Sequence, residues 1–372
     1  MPHADQRRRV LQLLGPSTGG IRLHVAELAT RLPAMGWDVT VVGSPRVMQG
    51  VGRQDGVVDV PPTWNVPAYR SARRRLAELV EGHDLIHVHG LKAAMVAVGS
   101  KPRPPMVLTV HNLVAGTQPR LVRPMFERLE SSLVERSDHV IVISDEIARR
   151  FDGIVSPDHQ TFVLPASPPR VPRRPVAEVR AEYGVGDAPL IVIVARHHRQ
   201  KRLTLFLDAM AQVHRVRPDV RALMIGDGPE HRDLQQRCSA LGLDGVVILT
   251  GHLPDPADEM RAADVVALSS DWEGSPLVVA ECLTLGRPLV TTAVGTVTRH
   301  LVDGVSARIT PIGDVQAFAA ALIAVLGDPA GARRMAEAGR VVAAQHFDPD
   351  HLVAAVAAVY EVVVGRVAGA RS

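Results

Sequence analysis

Ser270-Asp271-Trp272-Glu273-Gly274-Ser275-Pro276-Leu277-Val278-Val279-Ala280-Glu281 follows an apolar run, Asp264-Val265-Val266-Ala267-Leu268, that reads as a strand. A helix signature lies inside the stretch. Ser275 is expected to cap the helix and Pro276 to take its first position, where a missing N–H costs nothing. The amides of Leu277 and Val278 are then free donors at the positive end of a helix dipole, an arrangement that attracts phosphate. Glu273 falls in the loop before the helix, and Glu281 about one and a half turns into it. Two carboxylates around an anion-attracting helix start suggest a ligand. The alternative is that Glu273 caps the helix and Glu281 is a solvated helix residue.

Outward from this stretch the same plan repeats. Val10-Leu11-Gln12-Leu13-Leu14 leads into Gly15-Pro16-Ser17-Thr18-Gly19-Gly20 and then a helix with apolar Leu23, Ala26, Leu28 and Leu32. Strand patterns recur at 39–42, 85–89, 106–110 and 139–143, and again at 190–194, 222–225 and 246–250, with helices between. This alternation predicts α/β architecture with parallel, doubly wound sheets, whose ligands bind beyond the carboxyl ends of the strands. At 372 residues the chain is long enough for two such domains. Residues 165–175 hold five prolines and read as the linker between them.

Composition narrows the function classes. A net charge of +3, with no basic patch interleaved with aromatics, argues against a nucleic-acid partner. Cys238 and Cys282 are too few for a disulfide framework or a thiolate metal site, and a reduced, cytoplasmic setting is expected. Residues 1–9 lack the apolar region of a signal peptide, and the Ala/Val run at 352–360 is too short to span a bilayer.

Glu273, seven intervening residues and Glu281, with Gly274 and Pro276 between, resemble the paired-glutamate motif of the family 4 retaining glycosyltransferases. That resemblance covers nearly the whole chain. It implies the GT-B fold, two Rossmann-like domains facing across a cleft: residues 1–168 on the acceptor side, 169–348 on the donor side, and 349–372 as a helix crossing back to the first domain. It also implies a nucleoside diphosphate sugar as donor co-substrate, with no other cofactor and no metal. Gly20 is expected against the donor pyrophosphate, and His111 near the donor sugar; the alternative for His111 is a buried, hydrogen-bonded imidazole. Lysine is rare, only Lys92, Lys101 and Lys201. Lys201, with Arg196, matches the family's Gly-Arg…Lys-Gly loop, although Ala195 and Arg202 stand where glycines are expected. His252 and Leu253 are expected beside the nucleobase, Ser275, Pro276, Leu277 and Val278 at the phosphates, Glu281 at the ribose hydroxyls and Glu273 at the donor sugar.

Other patterns are weighed beside these. Gly226 and Gly228 read as structural glycines. His87 and His89 share a strand face, but no third metal ligand lies near them in sequence. Asp348-Pro349-Asp350 imitates an Asp-x-Asp metal motif and is instead explained as a helix cap followed by proline. Residues 121–137 have helical period, with Arg120, Arg123, Arg128 and Arg136 around it. The plain reading is a solvated basic face; the sharper one is peripheral contact with anionic lipid, for which Arg70, Arg73, Arg74 and Arg75 form a second candidate. The expected reaction is sugar transfer to an acceptor hydroxyl of a glycan, a lipid-linked acceptor or a small molecule. The rivals are a sugar nucleotide 2-epimerase of the same architecture and a non-catalytic sugar-nucleotide-binding protein.

Overall fold

The computed structural model describes residues 7–17, 20–49, 51–101, 103–113, 118–165 and 170–369. Gly19, the neighbour of Gly20, and residues 166–169 of the proline-rich segment lie outside them. The chain divides into two units, Met1–Pro168 with Asp348–Ser372, and Pro169–Phe347.

The first unit holds seven parallel strands: β1 (Arg8–Leu14), β2 (Trp37–Gly43), β3 (Gly56–Val57), β4 (Leu85–His89), β5 (Met106–Val110), β6 (His139–Val142) and β7 (Gln160–Phe162). Their order is β3-β2-β1-β4-β5-β6-β7. The order reverses between β1 and β4, the place where open α/β sheets bind ligands. Alternation along each strand supplies both faces. Leu11, Ile86, Leu108 and Val140 pack into one apolar cluster, and Val10, Leu85, Val107 and Ile141 into the other.

The second cluster also receives Val25 and Leu28 from the helix Gly20–Arg31, and Leu352, Val356 and Tyr360 from the last helix, Pro349–Gly369. That last helix starts as its sequence implies: the Asp348 side chain accepts the Asp350 amide at 2.9 Å. Tyr360 meets Trp37 edge-on, with ring centroids 5.0 Å apart. Helix Gly20–Arg31 is rotated from its expected phase. His24, Val25 and Leu28 are buried, while Leu23 and Ala26 are half-exposed. A buried histidine lies on the inward stripe, where only apolar letters were counted.

The second unit holds β8 (Leu190–Val194), β9 (Arg221–Ile225), β10 (Val247–Gly251), β11 (Val265–Leu268), β12 (Leu289–Thr292) and β13 (Arg308–Thr310). All are parallel, in the order β10-β9-β8-β11-β12-β13, with the reversal between β8 and β11. Helices Leu203–Val216 and Val315–Gly327 cover its core through Phe206, Met210, Phe318 and Leu322. The sequence pattern does not distinguish β3, β7, β12 and β13. At two to four residues, they are too short to show a period. Among the described residues no single helix is long and apolar enough to cross a membrane.

Candidate active site

In the second unit the loop after β11 is braced from two sides. Ser269 Oγ donates to the Lys201 carbonyl at 2.8 Å, and the Asp271 amide donates to the Gln200 carbonyl at 2.9 Å. Thr292 Oγ1 donates to the Ser270 carbonyl at 2.6 Å, and the Thr296 amide to the Gly274 carbonyl at 3.1 Å. Gly295, at φ +54°, passes so close that an added Cβ would lie 2.3 Å from the Gly274 oxygen. No larger residue fits there without moving the Glu273 loop.

Glu273 is thereby buried, with its side chain 8% exposed. It forms an ion pair with Lys201 and accepts from Ser270 Oγ at 2.7 Å and Gln200 Nε2 at 3.4 Å. A buried carboxylate needs such a counter-charge and such donors to remain ionised. Arg196, beside this group in sequence, is exposed and makes no hydrogen bond or ion pair among the described residues. Arg202 takes the left-handed conformation, φ 45° and ψ 45°, as the one non-glycine residue with positive φ among those described. Its Nη1 reaches Asp271 Oδ2 at 2.9 Å.

The helix begins one residue later than expected, as Leu277–Thr284 with Pro276 at the cap position and no side-chain cap. Ser275 does not cap it; the Ser275 hydroxyl instead accepts from Thr296 Oγ1 at 3.2 Å. Proline cannot donate, so nothing is lost by placing it at the cap. The expected consequence survives: the Leu277 and Val278 amides find no backbone acceptor among the described residues, whereas the Val279 amide bonds the Pro276 carbonyl at 2.9 Å. Glu281 is therefore the fifth helical residue, 7% exposed, with Oε1 2.8 Å from Arg170 Nε. Gly226 shows the same close approach elsewhere in the unit. At φ +137°, its Cβ would meet the Ala195 oxygen at 1.9 Å.

In the first unit, alternation carries His87, His89, Thr109 and His111 onto the face covered by helix Gly20–Arg31. His89 pairs in register with Thr109, and His87 with Val107. His87 contacts Tyr360 Oη at 2.6 Å through Nδ1 and Thr109 Oγ1 at 2.7 Å through Nε2. His89 Nδ1 and His111 Nε2 are 3.3 Å apart, and His24 meets the His111 ring edge-on at 5.2 Å. Burial pushes His24 down to about 4, and holds His87, His89 and His111 well below the usual histidine range, helped by their mutual repulsion. All four are neutral at pH 7.

His24, His89 and His111 offer nitrogens within 4.8 Å of one another, the third ligand that His87 and His89 lack in sequence. A 3.3 Å N···N separation with centroids 5.6 Å apart sets the His89 and His111 nitrogens head-on. That is the geometry of a shared N–H, not of two lone pairs converging on an ion. Among the described residues, both nitrogens of His24 and Nε2 of His89 have no hydrogen-bond partner, where metal-bound histidines ordinarily donate their second N–H. His197 and His231 face each other in the same way, Nδ1 to Nδ1 at 3.0 Å with rings nearly coplanar. Asp227 stands 3.6 Å from His231 in the second group, and each group thus holds one close imidazole pair, His89 with His111 and His197 with His231.

Comparison with known proteins places this geometry. Residues 18–166 match Glycosyltransferase Family 4, and residues 188–328 match Glycosyl transferases group 1. The chain is a family 4 glycosyltransferase. It is 25% identical over 365 residues to N-acetyl-alpha-D-glucosaminyl L-malate synthase of Bacillus anthracis, covering 93% of this chain and 94% of the relative. It is 27% identical over 362 residues to D-inositol 3-phosphate glycosyltransferase of Kribbella flavida, covering 86% and 85%. Its fold is similar to that of Anabaena HepE in complex with UDP, with TM-score 0.80, 20% identity, and coverage of 94% of this chain and 98% of that one. The two α/β units are those of a GT-B enzyme.

In this glycosyltransferase, Glu273, Ser275, Leu277, Val278 and Glu281 follow one another along the loop and first turns of one helix, and Lys201 joins them through its pair with Glu273. Arg196 lies on the loop after β8. His252 and Leu253 follow β10, His252 exposed and Leu253 half-buried. Gly20 opens its helix at an exposed position, and His111 lies at the end of β5 within the histidine group. Sequence reasoning missed His24, Gln200, Ser270, Gly295 and Arg170. Only Gly295 carried a signal, as a glycine in a strand-to-helix turn. His24, Gln200 and Arg170 meet partners from distant parts of the chain, and Ser270 meets Glu273 three residues on through a turn that its sequence does not mark. The Arg70 cluster is not one exposed basic face: Arg73 turns inward and donates to the Met95 carbonyl at 3.0 Å.

Proposed function

We propose that this glycosyltransferase moves a sugar from a nucleoside diphosphate sugar to an acceptor hydroxyl, with retention of anomeric configuration and without a divalent cation. The observation that carries the reading is Glu273, buried and paired with Lys201, on the loop that leads into the helix whose first amides, Leu277 and Val278, are open. In the reaction the bond from the anomeric carbon to the β-phosphate oxygen breaks, and its electron pair stays on that oxygen. The acceptor oxygen bonds the anomeric carbon from the same face, and its proton passes to the leaving phosphate. The growing charge on the diphosphate is met by Lys201 and the two amides, groups already held by the loop and the helix, and by the exposed Arg196. Glu273 takes the donor sugar hydroxyls and Glu281 those of the ribose. His111, neutral and buried, suits a hydroxyl rather than a charge. Family membership favours transfer over epimerisation.

UDP-, GDP- and ADP-sugars are screened for thermal stabilisation, starting with UDP because the HepE structure contains it. Turnover is then followed with EDTA present, and the product's anomeric configuration is read by NMR. Activity that survives the chelator and retains configuration supports the reading; rescue by magnesium or manganese, or an inverted product, overturns it. Peripheral membrane contact is a separate part of the proposal. Leu121 and Met125, 93% and 62% exposed, stand beside Arg120, Arg123 and Arg128. Co-sedimentation with anionic but not neutral vesicles, lost in Leu121→Asp with Met125→Asp, tests it.

A further inference from the structure

Arg170 connects two parts of the second unit that the proposed function assigns to the nucleoside. Its Nε lies 2.8 Å from Glu281 Oε1, and its Nη1 donates to Asp255 Oδ1 at 2.8 Å. Glu281 is the carboxylate given to the ribose. Asp255 closes the run His252-Leu253-Pro254-Asp255, the loop given to the base. A guanidinium is planar and permanently charged, so it fixes the spacing of two carboxylates as a lysine cannot.

Burial separates this contact from an ordinary surface pair. The Glu281 side chain is 7% exposed and that of Arg170 20%, so water screens them weakly. The backbone near Arg170 is also tied down. The amides of Arg173 and Arg174 both donate to Asp258 Oδ1, at 2.6 and 3.1 Å, and Arg174 Nε donates to Asp258 Oδ2 at 3.0 Å. Arg170 therefore reaches Glu281 from an anchored segment, and its placement is set before any ligand arrives.

We infer that Arg170 is a positioning residue for the nucleoside half of the donor, orienting the Glu281 carboxylate toward the ribose hydroxyls and holding the 252–255 loop at matching distance. The inference rests on the proposed nucleotide-sugar reading. Without Arg170, a nearly buried carboxylate loses the guanidinium 2.8 Å away, which favours its turning aside or taking up a proton. Either outcome weakens its acceptance of hydroxyls while leaving the phosphate groups untouched. The effect should thus appear in ribose recognition and not in binding of the diphosphate.

The test is calorimetric titration of the full chain, in EDTA, with UDP, 2′-deoxy-UDP and inorganic pyrophosphate; GDP and ADP with their deoxy forms replace UDP if it does not bind. Wild type should prefer the ribose form about tenfold, the size of one good charged hydrogen bond. Arg170→Ala should bring that ratio to within about twofold at unchanged pyrophosphate affinity, and Arg170→Lys should recover part of it. A wild-type ratio in Arg170→Ala, or a wild-type protein indifferent to the ribose hydroxyl, overturns the inference and leaves the functional reading standing. Failure of wild type to bind any of the three nucleotides overturns both. If Arg170→Ala lacks a cooperative melt, Arg170→Lys decides: a reduced ratio supports the role, and an unchanged one refutes it.

Discussion

The strand ends of the first unit carry neutral histidines, whereas those of the second carry opposed charges. In the first, His24, His87, His89 and His111 lie together, and burial decides their protonation. In the second, Lys201 faces Glu273 and Arg170 faces Glu281, each carboxylate almost covered. Burying a neutral imidazole asks only for hydrogen bonds, while burying a charge demands a counter-charge. The two units thus differ in kind, neutral imidazoles in one and paired charges in the other, and the proposed function gives hydroxyls to the first and the diphosphate to the second.

The sharpest way to break this comparison is Lys201→Ala. It removes the cation that the proposed function sets against the leaving diphosphate, and strips Glu273 of its charged partner. Turnover with a nucleotide sugar should fall ~10²–10³-fold in steady-state kinetics, the usual loss for one charge-stabilising group. A loss below tenfold would show that Lys201 only props up Glu273.

Acid should separate the units next. The folded-state value of His24 is about 4, against 6.5 for the ordinary side chain, so below pH 6.5 the unfolded chain binds more protons than the folded one. The stability tied to neutral His24 is complete above pH 6.5 and is lost as pH falls toward 4, by ~3 kcal/mol for this residue alone. His87, His89 and His111 act in the same direction. In the second unit the corresponding group is His197, lowered to about 4 chiefly by burial. Hydrogen exchange at pH 5 should therefore show the first unit opening before the second. Simultaneous opening would mean that the imidazoles do not control its acid stability.

The smallest effect belongs to Arg202, which holds φ 45° where the sequence resemblance implies a glycine. Arg202→Gly relieves ~1–2 kcal/mol of left-handed strain. Against this stand a looser unfolded chain, about 0.4–1 kcal/mol, and the exposed Asp271 pair, about 0.2–1 kcal/mol. Stability should change by no more than about 1 kcal/mol in denaturant titration. Arg202→Val, β-branched at positive φ, should be clearly destabilised.

Most of this architecture is legible because β1, β5 and β8 are largely apolar runs of five to seven residues, and the shorter β11 is wholly apolar and leads straight into the Ser270–Glu281 stretch. The paired glutamates and Lys201 are legible because they sit at strand-to-helix turns, where a parallel sheet puts its ligands. The histidine group is not, because His24 reads as an exposed helix position until the helix phase is known. Arg170 is hidden for another reason. Proline-rich sequence signals that a segment leaves the sheet, and says nothing of which carboxylates its side chains will meet. Ser275 and Pro276 were misplaced by one position, since either residue satisfies a helix start and only the Thr296 contact separates the choices.

The central claim is that the second unit separates nucleotide binding from sugar chemistry between its two glutamates. Calorimetric titration of UDP, in EDTA, into wild type, Glu281→Ala and Glu273→Ala tests it most directly. The account predicts at least tenfold weaker binding for Glu281→Ala, and binding within about threefold of wild type for Glu273→Ala, whose turnover alone collapses. Wild-type affinity in both variants would contradict it.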